Sequence, residues 1–92
     1  MTDTQKWVVY MVECADGTLY TGVSTDLSRR VRQHNGELKG GASYTRARRP
    51  VRLVWSEAAD DRGGAQRREY VVRRLKAGDK WLLVEGKKSN VD

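Results

Sequence analysis

The residues best suited to chemistry in this sequence are two tyrosines, an arginine and the only histidine, gathered in one stretch: Tyr10, Tyr20, Arg30 and His34. A phenol can orient a water molecule or take its proton, and a guanidinium can bind an oxyanion through two parallel hydrogen bonds, which a lysine cannot imitate. An imidazole can hydrogen-bond a nucleophile or a phosphate, or serve as a second base near its ordinary pKa. Together these groups suit the attack of water on an anionic ester.

A hairpin must hold the two tyrosines. Apolar and polar residues alternate over 8–13, Asp16-Gly17 is a strong signal for a short turn, and 19–21 begins a return strand. We expect Gly22 to stop that strand. The pattern places both tyrosines on neighbouring strands.

A helix must hold the arginine and the histidine. Its inward face is predicted from residues that recur at a spacing of four and three: Leu27, Val31 and His34. Ser24 or Thr25 can cap the first turn, and Gly36 is suited to the position after the last. Arg30 lies beside the inward face, within reach of the hairpin.

The second half of the chain predicts a strand and two helices. After Pro50, residues 51–55 predict a third strand whose odd positions form an apolar face and which ends at Ser56-Glu57. Helical spacing extends over 65–76, Gly78 is expected to break that helix, and 80–84 predicts a final short one. This order of elements indicates an α+β fold with a small antiparallel three-stranded sheet flanked by helices.

Glu69 lies at the edge of the apolar stripe of the helix at 65–76. A carboxylate there is poorly placed for a purely solvated role, so an arginine partner or a metal ion would explain it. Arg73, four residues along, is the candidate partner. Mg²⁺ is the candidate metal, because it keeps most of its waters and needs few protein carboxylates.

Composition favours one small folded domain. Of the 92 residues 38% are hydrophobic and 33% charged, which predicts a single domain at 1–86 with a flexible tail at 87–92. Cys14 is alone and is most simply a buried small hydrophobe. No signal-like or membrane-length apolar run is present, so we expect a cytoplasmic protein without membrane contact.

Positive charge is concentrated in the middle of the chain. The formal net charge is +6, whereas eight basic residues against Glu37 give residues 29–52 a formal charge of +7. We expect Gly40 to Ser43 to be a flexible loop. The candidate nucleic-acid contacts are an aromatic residue and the arginines near it: Arg29, Tyr44, Arg46, Arg48 and Arg49. Arginines around an aromatic ring suit a phosphate backbone with room for a base to stack, although a solvated loop would have the same composition.

The motifs resemble those of the GIY-YIG nuclease family. Val8-Val9-Tyr10 and Tyr20-Thr21-Gly22 are similar to the two tripeptides that name it, and Leu27, Arg30 and His34 fall where the family has a leucine, its catalytic arginine, and a histidine or tyrosine. The resemblance is to small, stand-alone bacterial members and covers nearly the whole chain. It implies a third strand beside the hairpin, with the first helix crossing over.

The resemblance also implies a site and a reaction. The family's active-site tyrosines, arginine, histidine and metal-binding glutamate are matched by five residues: Tyr10, Tyr20, Arg30, His34 and Glu69. Phosphodiester hydrolysis needs a deprotonated water, a cation beside the phosphoryl oxygens and help for the leaving oxygen. We therefore expect a Mg²⁺-dependent endonuclease, with Mn²⁺ as a substitute and with a role in DNA repair or recombination. DNA is favoured over RNA as the substrate, although no sugar-reading element in the sequence decides between them.

Two features qualify that expectation. Val23 stands where several members have a lysine, so one cation that would depress the tyrosine pKa is missing, and Arg30 with a metal must act in that direction instead. The chain shows no appended DNA-recognition domain, so selectivity for nucleic-acid structure, or a protein partner that supplies specificity, is expected. The alternative is a nucleic-acid-binding module on the same scaffold with little or no catalysis.

Overall fold

The computed structural model of the protein describes residues 6–86, so the predicted tail at 87–92 lies outside the described residues. Three strands and four helices follow one another along the chain: β1 Trp7–Glu13, β2 Leu19–Ser24, α1 Leu27–His34, α2 Ser43–Arg46, β3 Arg52–Ala59, α3 Arg62–Arg73 and α4 Ala77–Val84. The strands form one antiparallel sheet in the order β2-β1-β3. The predicted α+β class and three-stranded sheet are confirmed.

The hairpin follows the predicted pattern up to its return strand. β1 pairs with β2 through a turn in which Gly17 has a φ of 84°, a left-handed conformation that glycine adopts without strain. β2 continues through Gly22 to Ser24, so the expectation that Gly22 stops the strand was wrong. Gly22 pairs with Tyr10 inside the ladder.

β3 differs most from its prediction. It runs to Ala59 rather than ending at Ser56-Glu57, and its ladder with β1 is interrupted where Met11 pairs with Trp55 but Val12 pairs with Leu53. This bulge adds one residue to β3 and changes which side of the sheet its side chains face. The prediction of one apolar face at the odd positions was therefore wrong.

The core lies on both faces of the sheet, because β1 is central and helices cover each side. One cluster joins the sheet to α1: Tyr10, Val12, Cys14 and Val51, packed by Tyr20, Leu27 and Val31. The other joins it to α3 and α4: Met11, Val72 and Leu83, packed by Leu19, Val54, Trp55, Leu75 and Val84. Double coverage explains why residues 9–12 are buried consecutively rather than alternately. Cys14 is buried, as predicted.

The first two helices refine the sequence prediction. α1 is capped by Asp26, whose carboxylate accepts from the Arg29 amide at 3.2 Å, rather than by Ser24 or Thr25. Gly36 follows the helix with a φ of 82°, as its suggested capping position requires. The predicted loop at 40–43 leads directly into α2, a single turn that the sequence did not indicate.

The last two helices differ from their predicted bounds. α3 begins and ends earlier than 65–76, and α4 begins at Ala77, so Gly78 lies inside its first turn and does not break α3. A glycine costs little at a helix end, where Asp79 also favours the positive end of the helix dipole. Within residues 6–86, none of the helices has the length and apolar character needed to cross a bilayer.

Candidate active site

A cavity of about 570 Å³ lies along β2, an edge strand of the sheet. Five of the sequence-predicted site residues line it together: Tyr10, Tyr20, Arg30, Tyr44 and Glu69. Tyr10 and Tyr20 come from neighbouring strands, as the hairpin predicted, while α1, α2 and α3 each contribute one side chain. Packing of helices around both faces of the hairpin therefore brings residues distant in sequence to one opening.

Of the five expected catalytic residues, His34 alone does not line the cavity, because it is fully buried behind Tyr10. The Tyr10 hydroxyl oxygen is 2.7 Å from His34 Nε2, and the other ring nitrogen, Nδ1, is 2.9 Å from Thr45 Oγ1. The Thr45 hydroxyl in turn donates to the carbonyl oxygen of Ala42 at 3.1 Å. A chain of hydrogen bonds thus runs from the cavity wall through the imidazole to the backbone before α2.

Burial shifts the pKa values of Tyr10 and His34 in opposite directions. It raises the pKa of Tyr10 from its ordinary 10.0 to about 12, although the Arg30 guanidinium acts in the lowering direction. It lowers the pKa of His34 to about 4, with the charges of Arg30 and Arg49 acting in the same direction. The expectation of a histidine near its ordinary pKa was wrong, because desolvation is the largest effect on the His34 pKa. Arg30 acts on the Tyr10 pKa in the lowering direction, as expected, but desolvation by burial is the larger effect.

Gly22 lets the Tyr10 ring lie flat against β2. A Cβ at residue 22 would stand 2.6 Å from the Tyr10 hydroxyl oxygen and 2.8 Å from the ring carbon that carries it. Any side chain there would push the phenol out of its place. The glycine of the second tripeptide is thus needed for a close approach between two strands.

Arg30 is held at the cavity by its own helix and by the loop that precedes α2. Its Nη1 donates to Gln33 Oε1 at 2.9 Å and to the Gly40 carbonyl oxygen at 2.7 Å. A guanidinium carries five N–H donors, so anchoring one nitrogen in this way is compatible with binding a phosphoryl oxygen. The loop fixes the direction of the cation.

Tyr44 packs against both an aromatic ring and a guanidinium. Tyr20 packs on one face with ring centroids 5.7 Å apart, and the Arg48 guanidinium carbon lies 3.9 Å from the Tyr44 ring centroid. Arg48 also donates to Asp16 at 3.1 Å. With these contacts the Tyr44 ring forms part of the cavity wall.

The remaining predicted nucleic-acid contacts differ in their surroundings. Arg49 donates from Nε to the His34 carbonyl oxygen at 2.7 Å and packs across Gly36, which gives it a structural role. Arg29 and Arg46 are exposed on the surface of α1 and α2. These two are the members of the set best placed to meet a phosphate backbone.

Glu69 forms an ion pair with Arg73, its Oε2 lying 3.3 Å from Nε, as the alternative reading of the sequence anticipated. Its carboxylate is only 18% exposed, whereas Arg73 is 60% exposed and can leave for solvent. Within residues 6–86, no cluster of three or more histidine, cysteine, aspartate or glutamate residues could hold a metal ion.

A hydrated Mg²⁺ bound by one carboxylate nevertheless fits these residues. The Thr21 hydroxyl is buried in the same cavity wall, and no partner for it exists in the described part of the chain. Such an orphaned hydroxyl suits a site that holds ordered water.

Sequence reasoning missed three side chains of this region: Thr45, Thr21 and Lys80. Lys80 lines the cavity from α4. No spacing rule could place it there, because α4 reaches the cavity only through its packing against the sheet. Thr45 lies among arginines that the sequence indicates as candidate nucleic-acid contacts. The short helix that positions it has no side-chain capping bond that would predict the helix.

The comparisons with known proteins agree with this architecture. Residues 6–80 match the model of the GIY-YIG catalytic domain. The chain therefore belongs to the GIY-YIG family, a nuclease-type family, which indicates nucleic acid as the class of substrate.

Relatives of similar size carry the name UPF0213. The chain is 51% identical over 84 residues to a UPF0213 protein of Desulfotalea psychrophila, covering 91% of this chain and 76% of that protein. It is 49% identical over 75 residues to one of Halobacterium salinarum, with 82% and 95% covered. The solution NMR structure of a UPF0213 protein from Bacillus halodurans is 43% identical, with a TM-score of 0.56 over 89% of this chain and 85% of that one.

Proposed function

We propose that the protein is a Mg²⁺-dependent endonuclease that hydrolyses phosphodiester bonds in DNA. The observation that carries the proposal is the cavity along β2, where two phenols, a guanidinium and a carboxylate face the same space. This set supplies a group to orient water, a cation for the phosphoryl oxygens and a ligand for a metal. Membership of a nuclease-type family supports the same reaction.

Each residue at the site has its own role in the proposed reaction. Tyr10 orients the attacking water through its hydroxyl oxygen, and His34 holds that phenol from behind at 2.7 Å. Arg30 binds the phosphoryl oxygens on which charge develops in the transition state. Tyr20, packed edge-on against the imidazole with ring centroids 5.1 Å apart, limits the movement of both rings.

Glu69 would hold the metal. Mg²⁺ there would supply charge stabilisation at the phosphate and lower the pKa of bound water, and Mn²⁺ would serve as a substitute. Arg73 Nε lies 3.3 Å from Glu69 Oε2, so Arg73 would compete with the metal for that oxygen.

The substrate is proposed to be selected by its structure rather than by its sequence, which suits a role in DNA repair or recombination. The exposed cations of the described surface contact phosphates, which carry no sequence information. A protein partner is the proposed source of any further specificity. RNA is an outcome that the cleavage test distinguishes.

A nucleic-acid-binding module with little or no catalysis is the second candidate. The raised pKa of Tyr10 and the ion pair that occupies Glu69 favour it. A phenol with a pKa of about 12 is a weak base at neutral pH unless a cation assists it.

A cleavage assay separates the two candidates. Labelled duplex, single-stranded and branched DNA, with matched RNA, is incubated with Mg²⁺ or Mn²⁺ and with wild type, Arg30→Ala or Glu69→Ala. We expect metal-dependent cleavage of DNA by the wild type, and a loss of at least about 100-fold in each variant, because each removes a charge that acts on the transition state.

Arg67→Ala is the matched control, since it removes an exposed arginine of α3 outside the cavity lining. Wild-type cleavage no faster than that of Glu69→Ala, with binding intact, would leave the binding module as the function.

A further inference from the structure

We propose that Thr45 is a positioning residue, which fixes the His34 tautomer and thereby turns the acceptor side of the Tyr10 hydroxyl towards the cavity. The effect of Thr45 on the rate of cleavage rests on the proposed function. The tautomer itself is a property of the folded protein and can be measured without substrate or metal.

The Ala42 carbonyl sets the direction of the whole chain of hydrogen bonds. A carbonyl oxygen can only accept, so the Thr45 hydroxyl spends its single proton on Ala42 at 3.1 Å. Thr45 Oγ1 then has only lone pairs left for His34 Nδ1, which lies 2.9 Å away. Nδ1 must therefore carry the imidazole proton.

The neutral imidazole has one N–H group, so a proton on Nδ1 leaves Nε2 as an acceptor. Nε2 is 2.7 Å from the Tyr10 oxygen and receives the phenol proton in a hydrogen bond. The lone pairs of Tyr10 then point away from the imidazole, into the cavity that its ring lines. In this orientation the phenol oxygen can accept a hydrogen bond from a water molecule and so orient it.

The opposite tautomer of His34 would reverse the orientation of the Tyr10 hydroxyl. With the proton on Nε2, His34 would donate to the Tyr10 oxygen, and the phenol would turn its own proton towards the cavity. Tyr10 would then meet an attacking water as a donor. The lone pairs of Nδ1 and Thr45 Oγ1 would also face each other, unless Thr45 gave up its bond to Ala42.

Burial prevents water from replacing any of these contacts. Tyr10 is 1% exposed, and His34 and Thr45 are 0% exposed. The groups that face the imidazole are the phenols of Tyr10 and Tyr20 and the cations Arg30 and Arg49, and both cations disfavour a charged ring. The neutral form, in which the choice of tautomer matters, is therefore the state of His34 at neutral pH.

The single histidine makes the test direct. Long-range ¹H–¹⁵N correlation spectra of ¹⁵N-labelled protein report which ring nitrogen is protonated, and one imidazole leaves no ambiguity of assignment. We expect the wild type to carry the proton on Nδ1 between pH 6 and 8. Thr45→Val keeps the shape of the side chain but removes the acceptor, and we expect the Nε2-protonated form to become the main one.

Thr45→Ser restores the hydroxyl and should restore the wild-type spectrum. Thr25→Val, the same change at an exposed threonine, should leave the spectrum unchanged. In the cleavage assay we expect Thr45→Val to be slower by about 10- to 100-fold, as is typical when an outer partner of a site histidine is removed. Thr45→Ser should recover most of that loss.

A wild-type spectrum with the proton on Nε2 would overturn the proposal, whether or not Thr45→Val folds. So would a Thr45→Val protein that keeps the proton on Nδ1. If the wild type shows the Nδ1-protonated form but cuts no nucleic acid, the positioning role of Thr45 stands and the proposed endonuclease function fails.

Discussion

Tyr10 and His34 form a neutral hydrogen-bonded pair, and burial is the main reason that both are neutral. Desolvation disfavours the charged form of each group, which raises the pKa of the phenol and lowers that of the imidazole. Both groups are therefore neutral at physiological pH, joined at 2.7 Å with no ion pair between them. In the proposed reaction, His34 orients the phenol and Arg30 supplies the positive charge at the cavity.

The depressed pKa of His34 makes stability depend on pH. In the unfolded chain the imidazole binds a proton near pH 6.5, but in the folded protein it does so only near pH 4. Between these values the unfolded state binds more protons, so stability is complete above about pH 6.5 and is lost as the pH falls. We expect the free energy of unfolding in urea to drop by about 2 kcal/mol between pH 7 and pH 5.

His34→Gln tests whether His34 causes this loss of stability at low pH, because glutamine does not titrate. It should be less stable than the wild type at pH 7 but should show a much flatter dependence between pH 7 and pH 5. The carboxyl of Asp16 has a lowered pKa through its hydrogen bonds with Thr18, so its contribution is lost only at more acidic pH. An equal decline in both proteins would assign the effect to other groups.

At the scale of elements, the site lies along the edge strand β2. The Tyr10 ring from the neighbouring strand β1 packs against β2 at this point. The Tyr10 phenol covers Gly22 so closely that no Cβ fits, and the same strand contributes Tyr20 to the cavity. α1 and α2 lie behind the phenol, while α3 and α4 reach the cavity from the other face of the sheet. The helices on both faces of the sheet thus pack against the hairpin and contribute residues to the cavity along it.

Gly22→Ala tests this close approach. The methyl group would need to stand 2.6 Å from the Tyr10 hydroxyl oxygen, so the ring must move and its bond to His34 must lengthen. We expect a loss of about 1–3 kcal/mol in the free energy of unfolding, as for other overpacked sites. If the proposed function holds, cleavage should fall as well.

Gly78→Ala is the matched control. No atom lies within 4 Å of a Cβ at residue 78, which is in the exposed first turn of α4, so alanine should change the free energy of unfolding by less than about 0.5 kcal/mol. Urea denaturation of both variants makes the comparison. A Gly22→Ala protein as stable as the wild type would show that the ring has room to move.

Sequence periodicity was sufficient where structure is set locally. The alternation over 8–13, the Asp16-Gly17 turn and the spacing over α1 depend on neighbours within a few residues. It failed at the bulge near Val54, because the register of β3 is fixed by pairing with β1. It also missed α2, because the N-cap residue Ala42 makes no side-chain capping bond that a sequence could reveal.

The candidate site divides in the same way. Hairpin and helix spacing placed Tyr10, Tyr20 and Arg30 near one another, and the structure brings all three to one cavity. Glu69 was singled out by its position on a stripe, but only the packing of α3 carries it to that cavity. Thr45 could not be found, because its contact with His34 depends on the path of the loop from Gly36 into α2.

At the scale of the whole molecule, charge is distributed unevenly along the chain. Residues 29–52 carry a formal charge of +7, more than the net +6 of the protein, and they include α1, α2 and the loop beside the cavity. Arg48 and Arg49 in this segment already bind protein groups. We therefore propose Arg29 and Arg46 as the phosphate contacts of the predicted set, and counterion release at each should contribute to affinity.

The salt dependence of DNA binding measures this contribution. Fluorescence anisotropy with labelled DNA, in EDTA so that no strand is cut, gives the slope of log K against log salt concentration. We expect Arg46→Ala to weaken binding and to reduce the magnitude of the slope by about 1, because one phosphate contact is lost. Arg67→Ala removes the same charge from α3, away from the segment at 29–52, and should leave the slope unchanged. Equal effects of both substitutions would mean that DNA responds to net charge, whereas an effect of Arg46→Ala alone would place the backbone along α2, on the side of the cavity where Arg30 points.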